Sequence, residues 1–148
     1  MSNYANNKKA HFNFEILETF EAGLVLLGTE VKSIRAGKAH LEGGYIIIRG
    51  GEAYLVGIGI PSFQPINTAK SYDPERARKL LLSKKELAKL ELATEHARLT
   101  AVPLSLYNKG RQIKLGFALA RGKKKADKRE SLKERDTKRD IARTLKQN

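Results

Sequence analysis

FEAGLVLLGTEVKSIRAGKAHL, residues 20–41, is the stretch on which the reading of the fold turns. Its apolar run Leu24 to Leu27 is strand-like and stops at Gly28. In the basic segment that follows, Val31, Ile34 and Leu41 recur at helical spacing, and Lys32, Arg35 and Lys38 occupy the other positions. Residues three and four apart share a helix face, so the first set can enter a core while the second stays in water. Two readings remain open: a basic helix that plugs the end of a small barrel and turns a cationic rim outward, or an ordinary connecting helix.

On the N-terminal side, residues 1–10 are polar, Asn-rich and without periodicity, which predicts a disordered lead-in. From His11 the pattern alternates, with Phe12, Phe14 and Ile16 against Asn13 and Glu15, as a half-buried strand requires. Leu17 and Glu18 break the register and predict a bulge. Glu21-Ala22-Gly23 then reads as a reversal into a second strand over Leu24 to Leu27.

On the C-terminal side, Tyr45 to Arg49 is β-branched and bounded by glycines. Gly50-Gly51 predicts a hairpin into a strand over Ala53 to Ile60, because both turn positions can take positive φ without steric cost. Gly57 and Gly59 would share one face of that strand, as in a tightly coiled barrel wall. Pro61 to Pro74 reads as a surface loop and Glu75 to Leu82 as a helix. Ser83 and Glu86 form a capping box that starts a further helix at Lys84, with Leu87, Leu90 and Ala93 inward and fraying near His96. Val102, Leu104 and Leu106, then Ile113, Leu115, Phe117 and Leu119, mark two final strands joined by a turn at Asn108-Lys109-Gly110. Pro103 lacks a ladder donor and requires an edge or a bulge. The predicted fold is mainly β with helices: an OB-fold-like closed antiparallel six-stranded β-barrel over residues 11–120, with about three short helices.

The chain of 148 residues carries 29 Lys+Arg against 16 Asp+Glu, a net charge of +13. Such a surplus points to a polyanionic partner, nucleic acid first and an anionic membrane second. Residues 121–148 hold 12 Lys/Arg and 5 Asp/Glu, hence 12 − 5 = +7, with Leu132, Ile141 and Leu145 as the large apolar side chains. That is too little burial to offset ordering costs of about 1–2 kcal/mol per residue, so this segment reads as a basic tail, disordered when free and able to become helical against a polyanion. Cysteine is absent, and His11, His40 and His96 show no metal-binding spacing, so no metal or cofactor is expected. No apolar run is long enough for a bilayer span, and the first residues lack the apolar core of a signal peptide, which predicts a cytoplasmic protein without membrane contact.

Catalytic sets are not evident. Glu15, Glu18, Glu21 and Glu30 could seat two carboxylates together, but nothing separates an acid from a base. No phosphate-cradling glycine loop or HExxH appears, and the GxGxP at Gly57 to Pro61 falls within an expected strand. The chain therefore reads as non-enzymatic. Its basic clusters say more: Lys32, Arg35 and Lys38; Arg76, Arg78 and Lys79; and Lys109, Arg111 and Lys114 around the last hairpin, where Tyr107 could stack on an unpaired base. Taken singly, each cluster is also compatible with a solvated face.

Four ordered motifs then carry a family likeness: FEAGLVLLGTEVKSIRAGKAHL, DPERARKLLL at 73–82, VPLSLYNKG at 102–110 and ARGKKKADKRE at 120–130. Together they resemble the small protein B family of SsrA-binding proteins, over about residues 11–145. The resemblance implies a barrel that binds the tRNA-like domain of transfer-messenger RNA (tmRNA, or SsrA) and mimics its missing anticodon arm. The complex enters stalled ribosomes in trans-translation, so that the nascent chain is tagged and the ribosome rescued. It implies a body surface made of Glu21, Glu30, Lys32, Arg35, Lys38, Arg76, Arg78 and Lys79, to which the residues themselves add Tyr107 and Lys114. It implies a tail in the empty mRNA channel, with Gly122, Lys123, Lys124, Asp127, Lys128 and Arg129 at the small-subunit decoding centre. Elongation factor Tu and alanyl-tRNA synthetase would be indirect partners through the RNA. The alternative reading is a generic ribosome-associated OB-fold RNA-binding protein.

Overall fold

A computed structural model describes residues 3–64 and 71–123. Its spine is the pairing of the two longest strands, β2 (Phe14–Leu24) and β7 (Gln112–Gly122), antiparallel from Phe14↔Gly122 to Gly23↔Lys114. On its other edge β7 pairs with β6 (Thr100–Lys109). The period-two pattern sends Ile113, Leu115, Phe117 and Leu119 into the core, with Lys114 and Gly116 on the opposite face. Phe20 stacks on Phe117 directly across the ladder, with ring centroids 5.3 Å apart.

The short strands complete a circuit. In the hairpin of β3 (Tyr45–Arg49) and β4 (Glu52–Val56), Gly50 and Gly51 hold φ of 59° and 76°, as the paired glycines predict. β5 (Arg78–Leu81) pairs with β4 on one side and with the end of β2 on the other. β3 touches β6 through Ile46↔Ala101. The pairings therefore run β6–β3–β4–β5–β2–β7 and return to β6, while β1 (Asn3–Asn6) adds a seventh strand against β6. The helices are α1 (Ala10–Asn13), α2 (Gly28–Arg35) and α3 (Lys84–Glu95). Ile34 of α2 and Leu41 beyond it join the core with Leu55, Leu80, Leu106, Leu115 and Phe117, and Val31 packs on it.

Several expectations hold residue by residue. Ser83 caps α3 by accepting from the Glu86 amide at 3.2 Å while Glu86 accepts from the Ser83 amide at 3.1 Å, and the helix ends before His96. Leu90 is fully buried on the inward face. Register shifts at Ile16/Glu18 and at Pro103/Ser105 mark the two expected irregularities.

Others are corrected. Residues 3–10 are not a disordered lead-in: Asn3–Asn6 pair with β6, and Asn7 is held by hydrogen bonds to Leu104 O (2.8 Å) and Pro103 O (2.9 Å). No reversal occurs at Glu21-Ala22-Gly23, because the β7 ladder carries β2 straight through. A Cβ at Gly23 would meet Leu81 at 3.4 Å and Lys114 Nζ at 3.6 Å, ordinary contact distances. β4 ends at Val56, where Gly57 turns at φ 77°, so the 57–61 GxGxP lies outside the strand. The last turn falls at 110–111, since Lys109 pairs with Gln112.

The expected helix over Glu75 to Leu82 is strand β5. Three successive leucines there cannot share one helical face, whereas alternation buries Arg78 and Leu80 and turns Lys79 and Leu81 outward, and the strand gives the edges of β4 and β2 a partner. The third helix is α1 rather than 75–82. The basic tail beyond Lys123 lies outside the described residues.

Candidate nucleic-acid interface

α2 begins where β2 leaves the sheet, and its first turn carries a carboxylate inward. Glu30 is 0% exposed and accepts from the Leu27 amide (2.8 Å), Arg76 Nε (3.1 Å), Arg78 Nε (2.9 Å) and Nη2 (2.7 Å), and Tyr72 Oη (3.1 Å), with a further contact from Arg76 Nη2. Burial pushes the Glu30 carboxyl up, but the hydrogen bonds from Arg76, the Leu27 amide and Arg78 outweigh it, and the net displacement is downward. Arg78 is also 0% exposed, and its Nη2 donates to Pro74 O at 2.8 Å. Glu30 and Arg78, expected on the body surface, are therefore internal. A buried charge needs a full set of partners, and this one ties α2, β5 and the 72–78 segment into one unit. Tyr72, whose single hydroxyl proton is shared between Glu30 and Ile60 O, the latter 2.6 Å away, was missed by sequence reasoning. A lone Tyr in a polar loop gives no sign of the carboxylate it will meet.

A second cluster sits on the outer face of β2, β7 and β6. Tyr107 Oη donates to Glu21 Oε2, and Lys109 Nζ lies 2.8 Å from Glu21 Oε1. Lys109 first, then Tyr107, hold the Glu21 carboxyl below its ordinary range. Burial and the hydrogen bond to Glu21 push the Tyr107 hydroxyl up to about 12.

Between these clusters opens a cleft of about 270 Å³, with Leu24, Val31, Arg35, Leu81, Arg111 and Lys114 among its walls. Arg35 Nη2 donates to Arg111 O at 3.2 Å, which joins α2 to the β6–β7 turn. Leu81 is 56% exposed at this edge. Lys38 Nζ stands 5.1 Å over the Phe63 ring, a contact the sequence did not suggest.

The charge balance of the surface is uneven. Five surface carboxylates are taken by neighbours: Glu15 by Arg121 (3.7 Å), Glu18 by Lys89, Glu21 by Lys109, Glu42 by Lys9 (3.9 Å) and Glu52 by Lys79 (3.6 Å). Lys79 is thereby drawn off the basic set. Lys32, Arg35, Lys38, Arg111 and Lys114 make no ion pair within 4 Å among the described residues. Arg76 is in between, 30% exposed but committed to Glu30.

Of the tail-side residues, Gly122 ends β7 opposite Phe14, and Lys123 bonds through its amide to Asn13 O and through Nζ to His11 O, both at 2.9 Å. Lys124, Asp127, Lys128 and Arg129 lie outside the described residues. Among the described residues there is no group of three or more His, Asp or Glu side chains that could hold a metal ion, and no helix long and apolar enough to cross a membrane.

The family model described as SmpB protein matches residues 4–147. An SsrA-binding protein of Thermosynechococcus vestitus is 52% identical over 143 residues, 97% of this chain and 94% of that protein. Those of Chelativorans sp. and Microcystis aeruginosa are 51% and 50% identical over 97% and 95% of this chain, each with 92% of the relative covered. A solved chain from the work "tmRNA-SmpB: a journey to the center of the bacterial ribosome" aligns with a TM-score of 0.67 at 42% identity, covering 86% of this chain and 92% of that one.

Proposed function

The chain belongs to the SmpB protein family, and on that premise we propose that it is a non-catalytic adaptor that binds the tRNA-like domain of transfer-messenger RNA through its folded body. The six-stranded circuit acts as an OB-like barrel whose cleft side meets RNA. The bound protein takes the place of an anticodon arm and delivers the RNA to stalled ribosomes in the cytoplasm for peptide tagging and rescue. The tail, from Gly122 through Lys123, Lys124, Asp127, Lys128 and Arg129, enters the empty mRNA channel near the decoding centre. Elongation factor Tu and alanyl-tRNA synthetase engage the RNA rather than this protein.

The observation that carries this reading is the set of Arg35, Arg111 and Lys114, cations without an ion pair within 4 Å among the described residues, lining an apolar-walled cleft. Such a surface neutralises phosphates of a polyanion and releases the counterions condensed on it. The tRNA-like body of the relatives' RNA supplies such a ligand, with loops for the apolar walls.

The test measures affinity of the full chain for the tRNA-like domain and for ordinary tRNA across a salt series. Arg35→Gln/Lys114→Gln should weaken binding and lower the salt slope, which runs near −0.7 per neutralised phosphate for single strands. Lys124→Gln/Lys128→Gln/Arg129→Gln should leave RNA affinity nearly intact and abolish tagging on stalled ribosomes. Equal affinity for both RNAs, controlled by the tail, would replace this reading with a generic polyanion binder.

A further inference from the structure

The outer face of β2, β7 and β6 is arranged in two cross-strand rows: Gly23, Lys114 and Tyr107 in one, Glu21, Gly116 and Ser105 in the next. In each row the β2 or β7 glycine leaves a hollow that a long side chain fills. Lys114 reaches back over Gly23, its Nζ 3.6 Å from where a Cβ would stand. Tyr107 lies diagonally over Gly116, its Cε1 3.3 Å from that residue's virtual Cβ, and its hydroxyl crosses β7 to Glu21. Two side chains that ordinarily point into water are thus laid along the sheet.

This arrangement is costly without a purpose. A tyrosine that only had to satisfy its hydroxyl could do so with water. Here the ring is fixed at three points, by the bare Gly116 backbone beneath it, by Glu21 at its tip, and by the β6 backbone at its root. Glu21 is itself held by Lys109. A carboxylate on a surface that meets phosphate repels it, so Glu21 has a reason to be there only through the groups it holds.

We propose that Tyr107 is a preformed platform for one unpaired nucleobase of the bound RNA, with Lys114 beside it for that nucleotide's phosphate and Glu21, held in turn by Lys109, as the residue that positions the ring. This rests on the RNA-binding reading above and adds the ligand's chemistry at this spot: a base without a stacking partner, offered by a loop. A flat aromatic held against a glycine takes any base by its π-face, at about 1–3 kcal/mol per stacked base. Because the ring is already oriented, little rotamer freedom is lost on binding.

The test uses the full chain and tRNA-like-domain transcripts, each with one abasic loop nucleotide, at physiological salt. Tyr107→Leu should weaken binding of the intact transcript about 5- to 150-fold, the stacking range above, without altering the salt slope. Tyr107→Phe should recover most of that loss. Gly116→Ala, which lifts the ring without removing it, should lie between. One abasic position should weaken the unaltered protein and leave Tyr107→Leu unchanged, which identifies the stacked base. Leu and Phe variants of equal affinity would overturn the platform while the RNA reading stands. A loss in the Leu variant accompanied by a lower salt slope would also overturn it, since that reports phosphate contact. If the unaltered protein does not bind the intact transcript, the RNA reading itself fails.

Discussion

Glu30→Gln should be among the most damaging single-atom changes in this protein. The substitution keeps the shape of the side chain but removes the only buried negative charge among the described residues, leaving the Arg78 guanidinium at 0% exposure with Tyr72, Pro74 O and an amide for partners. Breaking a buried pair from one side costs about 3–5 kcal/mol because the surviving charge stays desolvated. For a chain of this length each kcal/mol moves the melting temperature by about 2–4 °C, so the expected fall is about 6–20 °C. The assay is thermal unfolding followed by circular dichroism from pH 7 down to pH 3. The Glu30 carboxyl titrates lower in the folded state than its ordinary 4.5, so its contribution is fully present above that value and is lost as pH falls through the folded-state value. The gap between the unaltered protein and Glu30→Gln should therefore be wide at pH 7 and close in acid. Glu30→Gln/Arg78→Met should cost less than the two single changes added, since neither charge then remains alone. A gap under about 1 kcal/mol at pH 7, or one that persists unchanged into acid, would refute the assignment of the cluster as an ion pair that holds the fold.

Gly44→Ala should destabilise by about 1–3 kcal/mol in a urea midpoint measurement, because an added Cβ would stand 2.3 Å from Ile58 Cγ2 and 3.2 Å from Leu41 O. Ser33→Ala should be neutral or stabilising by up to about 1 kcal/mol in the same assay, since Ser33 Oγ is buried without a hydrogen-bond partner among the described residues and a lone buried hydroxyl carries its desolvation cost uncompensated. In ultraviolet pH titration, one of the five tyrosines should ionise near pH 12, and Glu21→Gln should lower that transition only in part, because burial, the largest cause of the shift, remains while the hydrogen bond to and the charge of Glu21 are gone. No change in that transition would show that Tyr107 does not meet Glu21 in solution.

What the sequence made legible was local. The Ser83 cap, the Gly50-Gly51 turn, the bulges at Leu17 and Pro103 and the amphipathic spacing of Ile34 and Leu41 each depend on residues a few positions apart. What it hid depends on partners far along the chain. β1, Asn-Tyr-Ala-Asn, is too short to show a period and becomes a strand because β6 offers it an edge. ARKLLL is ambiguous between helix and strand until β4 and β2 stand on either side of it. The internal placement of Glu30 and Arg78 was hidden for a different reason. Charged residues are assigned to the surface by default, and no spacing rule says that a helix carboxylate will meet an arginine 48 positions later. The site was half legible in the same way: the excess of cations was visible, but which of them were already neutralised was not.

That distinction explains how a protein with so many glutamates on one long strand can present a cationic face. β2 carries Glu15, Glu18 and Glu21, and each meets a cation from a different element: Arg121 of β7, Lys89 of α3 and Lys109 at the end of β6. Beyond Glu21 the next outward position is Gly23, where Lys114 lies over the backbone with no carboxylate opposite. Within two residues of one strand the sheet surface therefore passes from carboxylates in ion pairs to a lysine that has none within 4 Å, although it still feels the Glu21 charge. Residues 1–120 hold 29 − 12 = 17 Lys/Arg and 16 − 5 = 11 Asp/Glu, a surplus of +6. Part of that surplus, Arg35, Arg111 and Lys114, stands at the cleft without an ion pair within 4 Å among the described residues. Cations grouped at one cleft steer a polyanion toward that face. The prediction is that RNA binding by the body depends on the cleft cations Arg35, Arg111 and Lys114, and the salt series with Arg35→Gln/Lys114→Gln checks it.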